Sequence, residues 1–189
     1  MAEDVAGRTY EGLLRSQVYN PLDLNSTTLP SGSALPRPFA HGYVNEPPDP
    51  TEDVSMVASM SWVWAAGGIQ STAADLLRFI RGYVGGRLFG PAIQRAQCRW
   101  RSGESDPAGP GVNSAGMALF RYRLPCGTVY GHTGNFFGYT QFTAASPNGR
   151  RAVTVSANMQ LSPTEGPPAA FRALRRAFER GACAALARR

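Results

Sequence analysis

The residues best equipped for chemistry lie in one short run of this 189-residue chain, Tyr130-Gly131-His132-Thr133-Gly134-Asn135. Its imidazole can take or hold a proton near neutral pH. Its hydroxyl can donate and accept hydrogen bonds. A glycine inside a strand pattern lets another group approach bare backbone. The run continues into Phe136-Phe137-Gly138-Tyr139-Thr140-Gln141-Phe142, then a turn at Ser146-Pro147-Asn148-Gly149-Arg150, then Ala152-Val153-Thr154-Val155-Ser156-Ala157-Asn158. The chemistry therefore sits on one strand of a set of strands joined by short turns.

Other chemistries are poorly provided for. All 19 basic residues are arginine and none is lysine. A phosphate-cradling Walker loop needs lysine and is excluded. Two His and three Cys, with no Cys-x-x-Cys, give no expectation of a metal site, and no cofactor is expected. Ser114-Ala115-Gly116 approaches a nucleophile elbow, but Val112 stands where the first glycine belongs, so Ser114 is not read as a nucleophile. The net charge of +6 comes from dispersed arginines without a nucleic-acid motif, so no nucleic-acid partner is expected. No apolar run has the length of a membrane span. The start, Met1-Ala2-Glu3-Asp4, is acidic where a secretory leader would be basic, so no signal peptide is read there.

The string from Tyr130 to Asn158 resembles the C-terminal part of the serine β-lactamase and D-alanyl-D-alanine carboxypeptidase family, a group of penicillin-binding-protein-like serine hydrolases. The class C β-lactamases, carboxypeptidases and related esterases are most similar. His132-Thr133-Gly134 stands where other members carry Lys-Thr-Gly, the third of three active-site motifs. Two further passages carry the resemblance: Pro21-Leu22-Asp23-Leu24-Asn25-Ser26-Thr27, with Asp23 in place of a common glycine, and Ser61-Trp62-Val63-Trp64-Ala65-Ala66-Gly67-Gly68 running on to Phe79.

The resemblance implies a β-lactamase/transpeptidase-like α+β fold, a five-stranded antiparallel sheet with flanking helices. Of this the chain would supply three strands, the C-terminal helix and part of a helical region. It would form one partial domain over 1–189, with 1–114 mostly helix and loop and 115–189 strands plus the last helix. Its N-terminal strands would be missing, leaving an open sheet edge near Asn158. The resemblance also implies roles. The amide of Asn135 would hold an oxyanion, Thr133 would bind substrate carboxylate or carbonyl oxygens, and His132 would supply polarity and a proton. Trp62 would be part of an aromatic wall beside the substrate; its other reading is core. The first two motifs, Ser-x-x-Lys and a placed Tyr-x-Asn, are absent. Tyr43-Val44-Asn45 spells the second on the wrong side of a helix, and His41 reads as a loop residue.

So the family activity would be hydrolysis of peptide, β-lactam or ester carbonyls, possible only with a missing N-terminal segment, and this chain alone would be inactive. The alternative is a non-catalytic module binding peptidoglycan-like peptides or a protein partner. Cys126 and Cys183 occupy the places of a family disulfide, with Cys98 free, which implies an extracytoplasmic or secreted setting. The carboxypeptidases' carboxylate-holding arginine would align with Phe120; Arg121 and Arg123 lie nearby, Arg121 on the opposite face.

The positioning elements follow from periodicity. Residues 8–19 read as a helix ended by Asn20-Pro21. Residues 25–60 read as loop. Thr72 and Asp75 cap a helix that Gly85-Gly86 stops. Pro91 opens a short helix. Residues 101–113 read as loop, 117–123 as a strand, and 169–186 as an amphipathic helix with Arg172, Arg175, Arg176 and Arg180 outward.

Overall fold

In the computed structural model, residues 1–32, 35–45, 48–56 and 60–187 are described. In chain order the helices are α1 (Ala2–Ala6), α2 (Tyr10–Leu14), α3 (Ala73–Val84), α4 (Pro91–Gln97) and α5 (Pro168–Ala187). The strands are β1 (Tyr43–Val44), β2 (Glu52–Asp53), β3 (Val112–Ala115), β4 (Phe120–Leu124), β5 (Gly127–Phe136), β6 (Tyr139–Ala145) and β7 (Ala152–Ala157). β1 and β2 form a small antiparallel pair; β3 to β7 form one antiparallel sheet in sequence order.

The sheet is covered on both faces, and the strand period decides which residue serves which side. Ala144 joins the α5 side, with Tyr122, Val129, Phe142, Phe171, Leu174 and Phe178. Ala145, one residue on, joins the α3 side with Ile80, Val84 and Leu119. α5 has the expected single apolar face: Phe171, Leu174, Phe178 and Ala182 are buried, while Arg172, Arg176 and Arg180 are exposed. Arg175 is half-buried and donates to the Gly109 carbonyl at 3.0 Å.

Several expectations need correction. The sheet has five strands from this chain, not three. Residues 112–115, inside or beside the expected loop, form β3 against β4. β4 starts at Phe120, not Met117, because Gly116 donates to the Leu119 carbonyl at 2.7 Å and Ala118 takes a φ of 52°, closing a turn there. The first helix is one α-turn, then a π segment over Arg15–Tyr19 and a 3-10 turn over Asn20–Leu22. Pro21 therefore opens a last tight turn instead of ending the helix. The chain leaves it through Asp23 at φ 56°, a left-handed conformation that glycine takes freely and aspartate tolerates.

α3 begins as its sequence dictates: the Thr72 hydroxyl accepts from the Asp75 amide at 3.2 Å. Asp75 is buried and does more than cap. It accepts from the Ser26 amide at 2.7 Å and the Thr27 hydroxyl at 2.8 Å, and pairs with Arg78 at 2.6 Å. One carboxylate thus ties the loop after the first helix to α3. β7 ends the sheet order, and among the described residues no strand pairs its outer edge. Past its end, the Tyr43 amide donates to the Asn158 carbonyl.

Cys126, in the turn between β4 and β5, is bonded to Cys183 in α5, with Cα atoms 5.5 Å apart; Cys98 is free. The bridge spans a separation of 57 residues. Chain entropy gives a loop of that size about 4 kcal/mol. Reduction, or replacement of both cysteines by serine, should lower the urea midpoint by the equivalent of about 2–5 kcal/mol. An unchanged midpoint would show that α5 is held by its apolar face alone.

Candidate functional site

The site is built by a difference in strand length. β4 pairs with β5 only from Leu124↔Gly127 to Phe120↔Gly131. β6 pairs with β5 on the other side from Tyr130↔Ala145 to Phe136↔Tyr139. Residues His132 to Phe136 therefore have a neighbour on one edge and none of the sheet's strands on the other. The two hairpins fix which backbone groups face which way. Each has two loop residues, Pro125-Cys126 and Phe137-Gly138, so the pairs flanking each loop exchange hydrogen bonds. Counting along β5, odd-numbered residues direct N–H and C=O toward β4 and even-numbered ones toward β6. Past Gly131 this leaves Thr133 and Asn135 with backbone groups on the open edge.

Side chains follow the other alternation. Thr133 is 2% exposed and on the α5 side, where its hydroxyl donates to the Pro107 carbonyl at 2.6 Å. The expected substrate contact through that hydroxyl is not available in this arrangement, since the same alternation that buries Val129 and Phe142 turns it inward. What Thr133 offers the open edge is backbone. Its hydroxyl belongs to a buried brace. Tyr122 donates to the Ser105 hydroxyl at 3.0 Å, and Ser105 accepts from the Gly109 amide and donates to the Pro107 carbonyl. Pro107 is itself fully buried beneath β5.

His132 is exposed. Its ring meets Phe120 edge-on at 5.1 Å, and Nδ1 contacts the Thr133 carbonyl. A carbonyl can only accept, so Nδ1 carries the proton and Nε2 is the acceptor of the neutral ring. The two glycines differ. A Cβ at Gly131 would lie 2.0 Å from the Thr143 carbonyl oxygen, so packing requires glycine. A Cβ at Gly134 would meet nothing within 4 Å. The chain's own packing does not explain Gly134; it leaves bare backbone beside the open edge.

At the end of β5, Trp62 stands 5.9 Å from the Phe136 ring and is 71% exposed. Trp64 is 47% exposed and packs edge-on against Tyr10. The core reading of Trp62 is thus corrected, and neither tryptophan enters the apolar interior. The Asn135 side chain donates to Glu165 Oε2 at 2.7 Å, and Gln160 donates to Glu165 Oε1 at 2.8 Å. Beyond them a cavity of about 40 Å³ is lined by Val44, Asn45, Phe137, Gln160, Glu165 and Gly166. Glu165 escaped sequence reasoning, since it lies in a Pro- and Ser-rich connection with no motif around it.

Arg121 is engaged elsewhere. Its guanidinium lies 5.2 Å over Trp100 and donates to the buried Ser114 hydroxyl at 3.1 Å. Tyr130 packs on the same indole at 4.7 Å. His41 pairs with Asp53 at 2.6 Å on an exposed loop. The Ser55 hydroxyl and amide, then His41, hold the Asp53 carboxyl down to about 2. Tyr43 pairs with Asp53 in the small ribbon. Among the described residues, no group of three or more His, Cys, Asp or Glu could hold a metal ion. No helix among them is long and apolar enough to cross a membrane.

A two-sided antiparallel sheet with flanking helices, carrying His-Thr-Gly on its central strand, has the β-lactamase/transpeptidase-like fold. The Beta-lactamase family matches residues 1–178, and the chain belongs to that family. A D-stereospecific amidohydrolase from Streptomyces sp. is similar at 27% identity and TM-score 0.74, over 85% of this chain and 47% of its own. A D-amino acid amidase from Ochrobactrum anthropi SV3 matches at 20% identity and TM-score 0.78, over 94% of this chain and 52% of its own. A penicillin binding protein from Bacillus halodurans matches at 17% and TM-score 0.66, over 85% and 48%. The chain thus spans about half the length of these solved structures.

Tyr122 gives the site's brace a pH signature. Burial, the largest cause, pushes its hydroxyl from 10.0 up to about 12. The neutral form is favoured in the folded state, so its contribution is complete below pH 10 and falls as pH rises toward 12. At about 1.4 kcal/mol per unit, stability should drop by roughly 2–3 kcal/mol across that window. Tyr122→Phe should flatten this part of the stability–pH curve. Equal slopes in both proteins would remove Tyr122 as its source.

Proposed function

We propose that this chain forms the oxyanion and substrate wall of a serine hydrolase that acts on amide, β-lactam or ester carbonyls. The observation that carries the reading is the open edge of β5, where Thr133 and Asn135 direct backbone groups outward beside Gly134. A carbonyl oxygen seated on the Asn135 amide would gain negative charge as a nucleophile attacks. A preorganised donor at that place is worth roughly 3 kcal/mol in the transition state. His132, with Nε2 as acceptor, is the local group able to take a proton. Trp62 and Phe136 supply an apolar wall for the acyl portion.

The names of the similar structures support carbonyl chemistry on amides, and the family membership supports a serine nucleophile. The family's nucleophile motif requires lysine, and this sequence has none. In this reading the Ser-x-x-Lys segment would be supplied from outside these 189 residues, and the isolated chain is proposed to be inactive. With Arg121 committed to Trp100 and Ser114, recognition of a terminal carboxylate by that residue is not part of the proposal. The disulfide favours an extracytoplasmic or secreted setting.

The purified chain, incubated with a fluorescent penicillin and separately with a chromogenic cephalosporin, should form no covalent adduct and give no turnover. A stoichiometric label would contradict the absence of a nucleophile, and mapping it would identify the residue responsible.

A further inference from the structure

Glu165 is a half-buried carboxylate with no basic partner among the ion pairs of the described residues. Its two oxygens are held in fixed positions by the Asn135 and Gln160 amides, one each. A carboxylate has about four acceptor sites, so each oxygen can accept again. Its contacts are neutral donors, and its negative charge is uncompensated. A cation entering beside it would supply the opposite charge that its present contacts lack.

The cavity next to it fits that need in size and lining. About 40 Å³ leaves room beside the carboxylate for a small group such as a primary ammonium. Phe137 lines the same cavity and is 39% exposed. An aromatic ring and a carboxylate lining one cavity suit an amine, because the ring quadrupole attracts a cation that the carboxylate neutralises. Asn135 connects this cavity to the open edge: its side chain holds Glu165 and its backbone belongs to the carbonyl site.

We propose that Glu165 is the receptor for a protonated primary amine of the substrate, so that the site prefers acyl compounds with a free amine over N-acylated ones. This rests on the reading of β5 as a carbonyl-binding edge, because Asn135 is what joins the two.

The test uses nuclear magnetic resonance on the intact disulfide-bonded chain. Benzylamine and its neutral counterpart benzyl alcohol probe the amine site without any carbonyl. Benzylamine should shift the side-chain amides of Asn135 and Gln160, binding about tenfold more tightly than benzyl alcohol, the order expected for one charge-assisted contact. Glu165→Gln should erase that difference. D-Phenylalanine amide and its N-acetyl derivative then add a carbonyl. The free amide should bind about tenfold better, and both should shift the backbone amide of Asn135. Equal binding of benzylamine and benzyl alcohol overturns the proposal in the wild-type chain, whatever the variant does. So does a preference that survives Glu165→Gln. If both phenylalanine amides shift the Asn135 backbone and bind equally well, the carbonyl edge stands and the amine receptor falls. If benzylamine behaves as expected while neither amide shifts that backbone group, the amine receptor survives as a binding site. The carbonyl reading then falls, and with it the substrate preference.

Discussion

The candidate site in this chain depends on β5 being longer than β4. A strand paired on both edges has no backbone to offer. A strand paired on neither has no fixed geometry. β5 meets both conditions in succession: it is held between β4 and β6 up to Gly131, then by β6 alone. The turn at Gly116–Leu119 sets where the change occurs, because it fixes the first residue of β4. A polar edge of two backbone units results, rigid on one side and accessible on the other.

An edge of this kind would twist and fray without support from below. The support is polar as well as apolar. Thr133 is tied to Pro107, Pro107 to Ser105, and Ser105 to Tyr122, all in the layer between the sheet and α5. Arg175 reaches from α5 to the Gly109 carbonyl in the same loop. The disulfide fastens the turn of the β4–β5 hairpin to that helix. Buried hydrogen-bond networks of this sort specify one arrangement when every member is satisfied. The hydroxyl of the His-Thr-Gly motif is here a structural tie, and in the proposed function the motif's contact with a ligand falls to its backbone and to His132.

Much of this was legible in the sequence, for reasons that can be named. The strands β5 to β7 show in their apolar alternation and the Asn148-Gly149 turn, and α3 in Thr72 and the Gly85-Gly86 stop. Resemblance, not periodicity, brought out Cys126 with Cys183. Less legible were features set by distant partners. β3 is short and polar, and becomes a strand only because β4 lies beside it. Trp62 looked like a core residue by composition, but its position past the end of β5 leaves it exposed. Thr133 could be assigned to the buried face only once the sheet's two layers were known. Glu165 carried no local signal, since its meaning comes from Asn135, 30 residues away in sequence.

The open edge itself can be observed directly. In hydrogen exchange resolved by residue, His132 and Gly134 should be protected by β6, while Thr133 and Asn135 exchange much faster, an alternation confined to β5 beyond Gly131. Uniform protection from Gly131 to Phe136 would mean that another segment covers the edge, and it would contradict the account of how this site is made.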